Sequence, residues 1–241
     1  MKLSVVVPAF NEEHLLAGAL AAIRAALGVF AEAGWSCEVI VCDNNSTDRT
    51  AEIARAAGAT VVLEPVNQIA RARNAGAAQA GGEWLVFVDA DSYPSRELFS
   101  EVLMAIREGN ALAGGATVHF ETRDPMIRLW LALWNTLSRA TRWAAGSFIF
   151  CEARAFRELG GFSEALYAGE EIDLFRRLKR LARRRGQSVV ILHRHPLRTS
   201  DRKARLYTKR EHFAFMLKTL LLAGRPLRDR KACYVWYDGR R

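Results

Sequence analysis

No hydrophobic run in this 241-residue sequence approaches the roughly 18 to 20 uninterrupted apolar residues that a membrane-spanning helix needs. The opening stretch MKLSVVVPAFNEE has one lysine and meets a proline and charges after a short apolar run, so it lacks the layout of a secretory signal. Both absences point to a cytoplasmic protein. Cysteine is scarce: Cys37, Cys42, Cys151 and Cys233 show neither CxxC nor Cys/His metal spacing. Cys37 and Cys42 fall on opposite faces of one strand, so free buried thiols are expected. No GxGxxG follows the first apolar run, which argues against a dinucleotide oxidoreductase. The loop there is PAFNEEH, not the Gly-rich, basic loop that a nucleotidyltransferase would be expected to have. No linker, internal repeat or low-complexity stretch is evident, and one domain is the simplest organisation.

What is present is ample for a core, since half of the residues are hydrophobic. The net charge of +9 is unevenly spread: residues 1 to 100 hold 7 Lys/Arg against 12 Asp/Glu, and the remainder holds 28 against 14. Such a basic half expects an anionic partner, whether a phosphorylated substrate, a membrane surface or a nucleic acid. Short runs rich in Val and Ile, at 3–8, 37–43, 60–64 and 83–89, alternate with helical patterns at about 11–32, 48–57 and 69–80. The runs are continuous rather than alternating, as in strands covered on both faces, so a parallel sheet flanked by helices is predicted. Asn11 is placed to start the first helix, and Ser46 or Thr47 ahead of Asp48 the second. After Gly109 follow a strand, ALAGGATVHF, a helix beginning DPMIRLW, a strand GSFIFCE, an acidic helix start GEEID, a strand QSVVIL and a final helix over about 204–223.

WLVFVDADSYP, residues 84 to 94, drives an apolar run into Asp89 and Asp91. An unpaired buried carboxylate is costly, so either the two acids are solvated in a turn or something positive lies between them. In an open parallel sheet all strands point their carboxyl ends at one edge, where ligands bind. PAFNEE, DNNSTD and DAD stand at three such ends and are predicted to be neighbours, although each alone reads as ordinary turn chemistry.

SVVVPAFNEE, VIVCDNNSTDRTAEIA, ARARNAGAAQAGGEWLVFVDADS and GEEIDLFRRL together resemble, in order and spacing over about residues 3 to 185, the motifs of family 2 glycosyltransferases. The resemblance implies an α/β GT-A (Rossmann-like) fold, a mostly parallel central sheet flanked by helices, with a C-terminal helical extension. It implies one GT-A domain over 1–241: a nucleotide-binding half at about 1–110, an acceptor-binding half at about 111–200 and the extension at about 201–241. The implied activity is inverting transfer of a hexose-type sugar from a nucleotide-diphosphate sugar to a hydroxyl of a lipid, saccharide or small metabolite. The implied cofactor is a divalent metal, Mn²⁺ or Mg²⁺.

By the same resemblance, Pro8, Ala9, Phe10 and Glu12 with Asp43 bracket the nucleoside, and Asp89 and Asp91 hold the metal on the diphosphate. Ala90 of the same DAD is counted among the donor-binding residues. The metal has an independent physical case, because two carboxylates and a diphosphate repel in a crevice of lowered dielectric, and a hard cation reverses that sign. Asp48 reads as a helix cap. The family pattern sets Arg73 with Asn74 near the diphosphate, and Arg71 enters the same region. It supplies the base from a Glu-Asp pair opening a helix, whereas this chain reads Glu170, Glu171, Ile172, Asp173. Glu171 aligns with the expected aspartate and is the candidate base, with Glu170 and Asp173 as alternatives, although a helix macrodipole alone favours three acids there. In proteins of this resemblance the segment after the last strand closes over the diphosphate. Ser200 and Arg202 suit that role, and His193 or His195 would complete the metal shell.

The acidic helix carries Leu174, Phe175, Leu178, Leu181 and Ala182 on one face and Arg176, Arg177, Lys179, Arg180, Arg183 and Arg184 on the other. The basic face is either solvated or a peripheral contact with anionic membrane on the inner face of the cell, an idea that IRLWLALWN and the final helix support. The competing readings are a nucleotidyltransferase-like enzyme and a noncatalytic module binding nucleotide sugar or nucleic acid. The intact DAD and the acidic helix start argue against binding alone, and nucleic acid is not the expected partner.

Overall fold

The computed structural model describes residues 1–122, 124–200, 225–233 and 237. Eight strands form one sheet: β1 (Lys2–Ala9), β2 (Ser36–Asp43), β3 (Thr60–Leu63), β4 (Trp84–Val88), β5 (Ser92–Tyr93), β6 (Ala111–Phe120), β7 (Phe148–Glu152) and β8 (Ser188–Thr199). Their order is β3-β2-β1-β4-β7-β6-β8-β5. β3, β2, β1 and β4 run parallel, β7 is antiparallel to both neighbours, and β6 and β8 are again parallel to each other. The mostly parallel sheet is therefore as expected, with an antiparallel β7 that Val/Ile richness could not distinguish.

Helices cover both faces. Leu3, Val5 and Val7 of β1 pack with Leu16, Leu20, Ile23 and Phe30 of α1 (Leu16–Glu32) and with Leu98, Phe99 and Val102 of α4 (Arg96–Arg107). Val6, pointing the other way, joins the core built on α3 (Ile69–Gln79), α6 (Ala153–Glu158) and α7 (Glu170–Arg184). Side chains alternate across a strand, so a continuous apolar run such as Leu3–Val7 serves two cores at once. α7 buries the five apolar residues of its predicted face. α2 (Thr50–Ala56) and α5 (Pro125–Thr141) complete the set.

Two predicted helix starts move. α1 begins at Leu16 rather than 11, because Asn11 takes a left-handed conformation, φ 51°, which Asn tolerates, and its side chain bonds elsewhere. α2 begins at Thr50, and Asp48 caps it from outside by accepting from the Thr50 amide at 3.0 Å and hydroxyl at 2.5 Å. β8 continues through His193 and His195 to Thr199, well past QSVVIL. Of the expected C-terminal extension, residues 201–224, and with them Arg202 and the predicted helix at 204–223, lie outside the described residues. A 3-10 turn at Arg225–Arg228 begins the part that is described. Among the described residues no helix is long and apolar enough to cross a membrane.

α3 is pressed against β1 at Gly76, where a Cβ would lie 2.5 Å from Val6 Cγ1 and 3.6 Å from Cys42 Cβ. Gly76→Ala must push the helix off the sheet, and overpacking of this kind costs about 1–3 kcal/mol. The urea midpoint of that variant is expected to fall accordingly; an unchanged midpoint would show that α3 relaxes freely.

Candidate active site

The loops after β1 and β2 are interlocked. The Asn11 amide donates to Ser46 Oγ (3.0 Å), the Thr47 amide to Asn11 Oδ1 (2.8 Å), the Glu12 amide to Thr50 Oγ1 (2.8 Å) and the Glu13 amide to Asp48 Oδ2 (3.1 Å). Four backbone N–H groups that a sharp turn would leave unpaired are thus satisfied by the neighbouring loop. Pro8, Ala9, Phe10, Glu12 and Asp43 are brought together, with Ala9 opposite Asp43 in register. Asp43 is buried and accepts the Ser46 amide at 3.1 Å. Against the opposing effect of burial, hydrogen bonds from Thr50 and the Glu13 amide hold the Asp48 carboxyl below the usual range.

β4 lies on the other side of β1, with Val6 opposite Phe87, so Asp89 leaves the sheet at the level of Pro8. Asp43 and Asp89 flank the same strand end, two strand spacings apart, or about 9–10 Å. Ala90 and Asp91 are buried. The Asp91 carbonyl accepts the Ser200 amide at 3.1 Å, and the Thr199 hydroxyl lies 3.5 Å from Asp91 Oδ1. Ser200 therefore meets the DAD turn, and Thr199, which sequence reasoning passed over, is what ties β8 to it.

The positive charge beside the first acid is Arg73. It is 1% exposed, and donates to Asp89 Oδ1 (3.0 Å), Glu170 Oε1 (2.8 Å) and the Gly146 carbonyl (2.8 Å), with its guanidinium 5.2 Å from the Phe162 ring centroid. One side chain thus joins β4, the start of α7 and the loop before β7. Gly146 leaves room for it, since a Cβ there would lie 2.9 Å from an Arg73 nitrogen. Gly169, in the left-handed conformation (φ 75°), turns the chain so that Glu170 enters the buried cluster. Burial and the charge of Glu170 push the partly buried Glu171 carboxyl up to about 8, against the opposing pull of Arg73.

Three other candidates are engaged elsewhere. Arg71 bonds Glu64 (3.1 Å) and Glu164 (2.9 Å), on the outer side of the helix that aims Arg73 inward. Asp173 is the ion-pair partner of Arg177 at 2.7 Å, and Arg177 in turn caps the carbonyls of Leu159 and Gly161. Asn74 makes reciprocal bonds with the Phe162 backbone at 2.9 Å and so fixes a loop. The histidines do not join the acids: His195 Nδ1 lies 2.6 Å from Glu101 on α4, and both His193 and His195 are exposed on β8. His195 lies four positions before Thr199, about 13 Å of extended chain, which keeps it from Asp91.

The residues present fit a divalent cation. Asp89, Glu170 and Glu171 stand around the Arg73 guanidinium, and Asp91 follows on the same turn as Asp89. Among the described residues no group of three His, Cys, Asp or Glu could hold a metal alone.

The family model described as "Glycosyl transferase family 2" matches residues 4–159. An uncharacterized glycosyltransferase of Mycobacterium tuberculosis is 40% identical over 88 residues, 36% of this chain and 36% of that protein. The dolichol-phosphate mannosyltransferase of Pyrococcus furiosus is 31% identical over 124 residues, 48% of this chain and 33% of that one. The chain thus matches about a third of the length of these curated relatives. Among solved structures, the mannosyltransferase PcManGT from Pyrobaculum calidifontis, in complex with GDP-Man and Mn²⁺, superposes with a TM-score of 0.65 at 20% identity, over 90% of this chain and 60% of that one. At that identity the likeness concerns the fold, which is of the GT-A type.

Proposed function

The chain belongs to glycosyl transferase family 2, and from that premise we propose that it transfers a hexose-type sugar from a nucleotide-diphosphate sugar to an acceptor hydroxyl, inverting the anomeric carbon. The observation that carries this reading is the convergence of Asp43, Asp89, Asp91 and Glu171 around the β1 and β4 strand ends, with Arg73 linking the acidic turn to the start of α7. In it, the loop from Pro8 to Glu12 and the Asp43 carboxylate hold the nucleoside. Asp89 and Asp91 hold Mn²⁺ or Mg²⁺, which when bound neutralises the diphosphate and the charge that develops on it as it leaves. Ser200 stands beside Asp91 to close over that group. Glu171 accepts the proton of the acceptor hydroxyl while the oxygen attacks the anomeric carbon and the bond to the diphosphate breaks on the opposite face. The division of labour follows the chain: residues to about 110 bind the nucleotide, and those from about 111 to 200 face the acceptor. The matched dolichol-phosphate mannosyltransferase favours a lipid among the acceptors.

Asp91→Ala tests the metal assignment. Thermal unfolding of the wild type is expected to shift upward only when nucleotide sugar and Mn²⁺ are added together, as ligands that bind the native state require. In the variant that joint shift is lost. A joint shift of wild-type size in Asp91→Ala would remove the metal from these residues. Metal-dependent release of nucleoside diphosphate from the wild type separates a transferase from a binding module.

A further inference from the structure

α5 is apolar on two sides. At 100° per residue, Ile127, Leu131, Trp134, Asn135 and Ser138 share one side. That side meets the sheet: Leu131 and Trp134 pack on the core, and Asn135 exchanges hydrogen bonds with the Val118 amide (3.1 Å) and carbonyl (2.9 Å). The opposite side carries Met126, Leu129, Trp130, Leu133 and Leu137, each between 44% and 56% exposed. Of the nine large apolar side chains exposed among the described residues, five lie on this stripe. Scattered exposed hydrophobics are normal in a folded protein, but a contiguous stripe with a tryptophan in it is not.

The stripe ends in a cationic cluster. Lys179 of α7 donates to the Thr141 carbonyl at 2.7 Å, and Arg176 lies 5.3 Å over the Trp143 ring. Burial, with Arg183 and Arg142 adding, holds the Lys179 ammonium below its ordinary pKa, so these cations crowd together. Arg176, Arg180, Arg183 and Arg184 are exposed, as are Arg128 and Arg139 on the flank of α5. At the other end, Glu121 is already paired with Arg198 at 2.7 Å. The basic face of α7 is therefore partly tied into the fold, through Lys179 and Arg177, and partly presented beside the α5 stripe.

We infer that the α5 stripe and the adjoining arginines of α7 form a docking surface for an anionic lipid bilayer. The stripe enters the boundary between headgroups and acyl chains, and Arg142, Arg176 and Arg183 face the headgroup phosphates. An apolar helix face bearing Trp and Leu, flanked by Arg, is the composition of helices that lie in the membrane interface, and each cation near an anionic surface adds to binding. A second copy of the chain fits less well. A two-fold contact repeats each patch against its own kind, so the like-charged clusters would share one interface. This inference does not rest on the transfer reaction.

Co-sedimentation with vesicles tests it. The protein is expected to pellet with vesicles of equal parts phosphatidylcholine and phosphatidylglycerol, and not with phosphatidylcholine alone. The double variant Trp130→Glu/Leu133→Glu, and separately Arg176→Glu/Arg183→Glu, should weaken that binding at least about tenfold. The second pair should also flatten its dependence on salt. All four side chains are exposed, so both variants are expected to keep the wild-type unfolding midpoint and the joint stabilisation by nucleotide sugar and Mn²⁺. Loss of vesicle binding with donor stabilisation intact supports the surface. Equal pelleting of wild type and variants overturns it. So does light scattering that shows a dimer of the wild type converted to monomer by Trp130→Glu/Leu133→Glu.

Discussion

Replacing Glu171 with glutamine lowers sugar transfer by about 10²- to 10⁴-fold, the range a positioned general base contributes, while the donor still binds. Glutamine keeps the shape of the side chain and removes its ability to take a proton, so the loss is expected in kcat rather than in donor affinity. The pH profile gives a second readout. Burial and the neighbouring Glu170 push the Glu171 carboxyl up to about 8, so the ionised base is a minority species at neutral pH. Transfer by the wild type should rise as pH increases through that value and then level. The residual activity of the glutamine variant should lack the rise.

Stability must move the other way. Below the ordinary carboxylate pKa, near 4.5, both folded and unfolded chains carry the Glu171 proton. Between there and about 8 the unfolded chain has lost a proton that the folded chain retains, so folding stability falls as pH rises across that window. Glu171→Gln removes this slope and should be the more stable protein at pH 8. Denaturant melts of both proteins at pH 5 and pH 8 check the sign. Wild-type turnover by the variant would exclude Glu171 as the proton acceptor, whatever the melts show.

The parts of this fold that were legible in the sequence are those fixed by local periodicity. The strands at 3–8, 37–43, 60–64 and 83–89 match β1 to β4 to within one or two residues, because a doubly covered strand must be apolar throughout. The buried face of α7 was legible for the same reason: a helix has one inside. The acids proposed for the site stand out in the sequence because carboxylates at strand ends are conspicuous and their order resembles a known family.

What was not legible depends on partners far along the chain. Arg71 and Arg73 look alike in ARARN, yet two residues turn a helix by 200°, so one faces Glu64 and Glu164 outside while the other is buried against Asp89 and Glu170. Gly146 and Thr199 are ordinary residues until the fold sets them against Arg73 and Asp91. Asn11 was a plausible helix cap, but bonding the Thr47 amide locks two loops together and leaves α1 to start later. β8 runs on through His193 and His195 to Thr199, and the polar, basic stretch after QSVVIL gives no sign of that continuation.

Arg73→Met is expected to destabilise the protein by about 3–5 kcal/mol, the usual consequence of removing one partner of a buried ion pair, and to abolish transfer. The reason lies in what is left behind. Glu170 is as buried as Arg73, and without the guanidinium it has neither a counter-charge nor the bonds that water would have given it. Asp89 loses the same partner and Gly146 its donor. Lysine cannot substitute, since one ammonium lacks the planar fork that reaches two carboxylates and a carbonyl together. Two effects are mixed in this variant, and the double variant Arg73→Met/Glu170→Gln separates them. Neutralising Glu170 removes the stranded charge, so the double variant should recover part of the lost stability, with an interaction energy of about 0.5–3 kcal/mol in the cycle. It should recover no transfer, because the link that holds the acidic turn at a fixed distance from the start of α7 is still missing. Recovered transfer in the double variant would mean that Arg73 serves only to neutralise Glu170. A wild-type urea midpoint for Arg73→Met would mean that the buried network contributes nothing to the fold and does not hold Asp89 and Glu171 together.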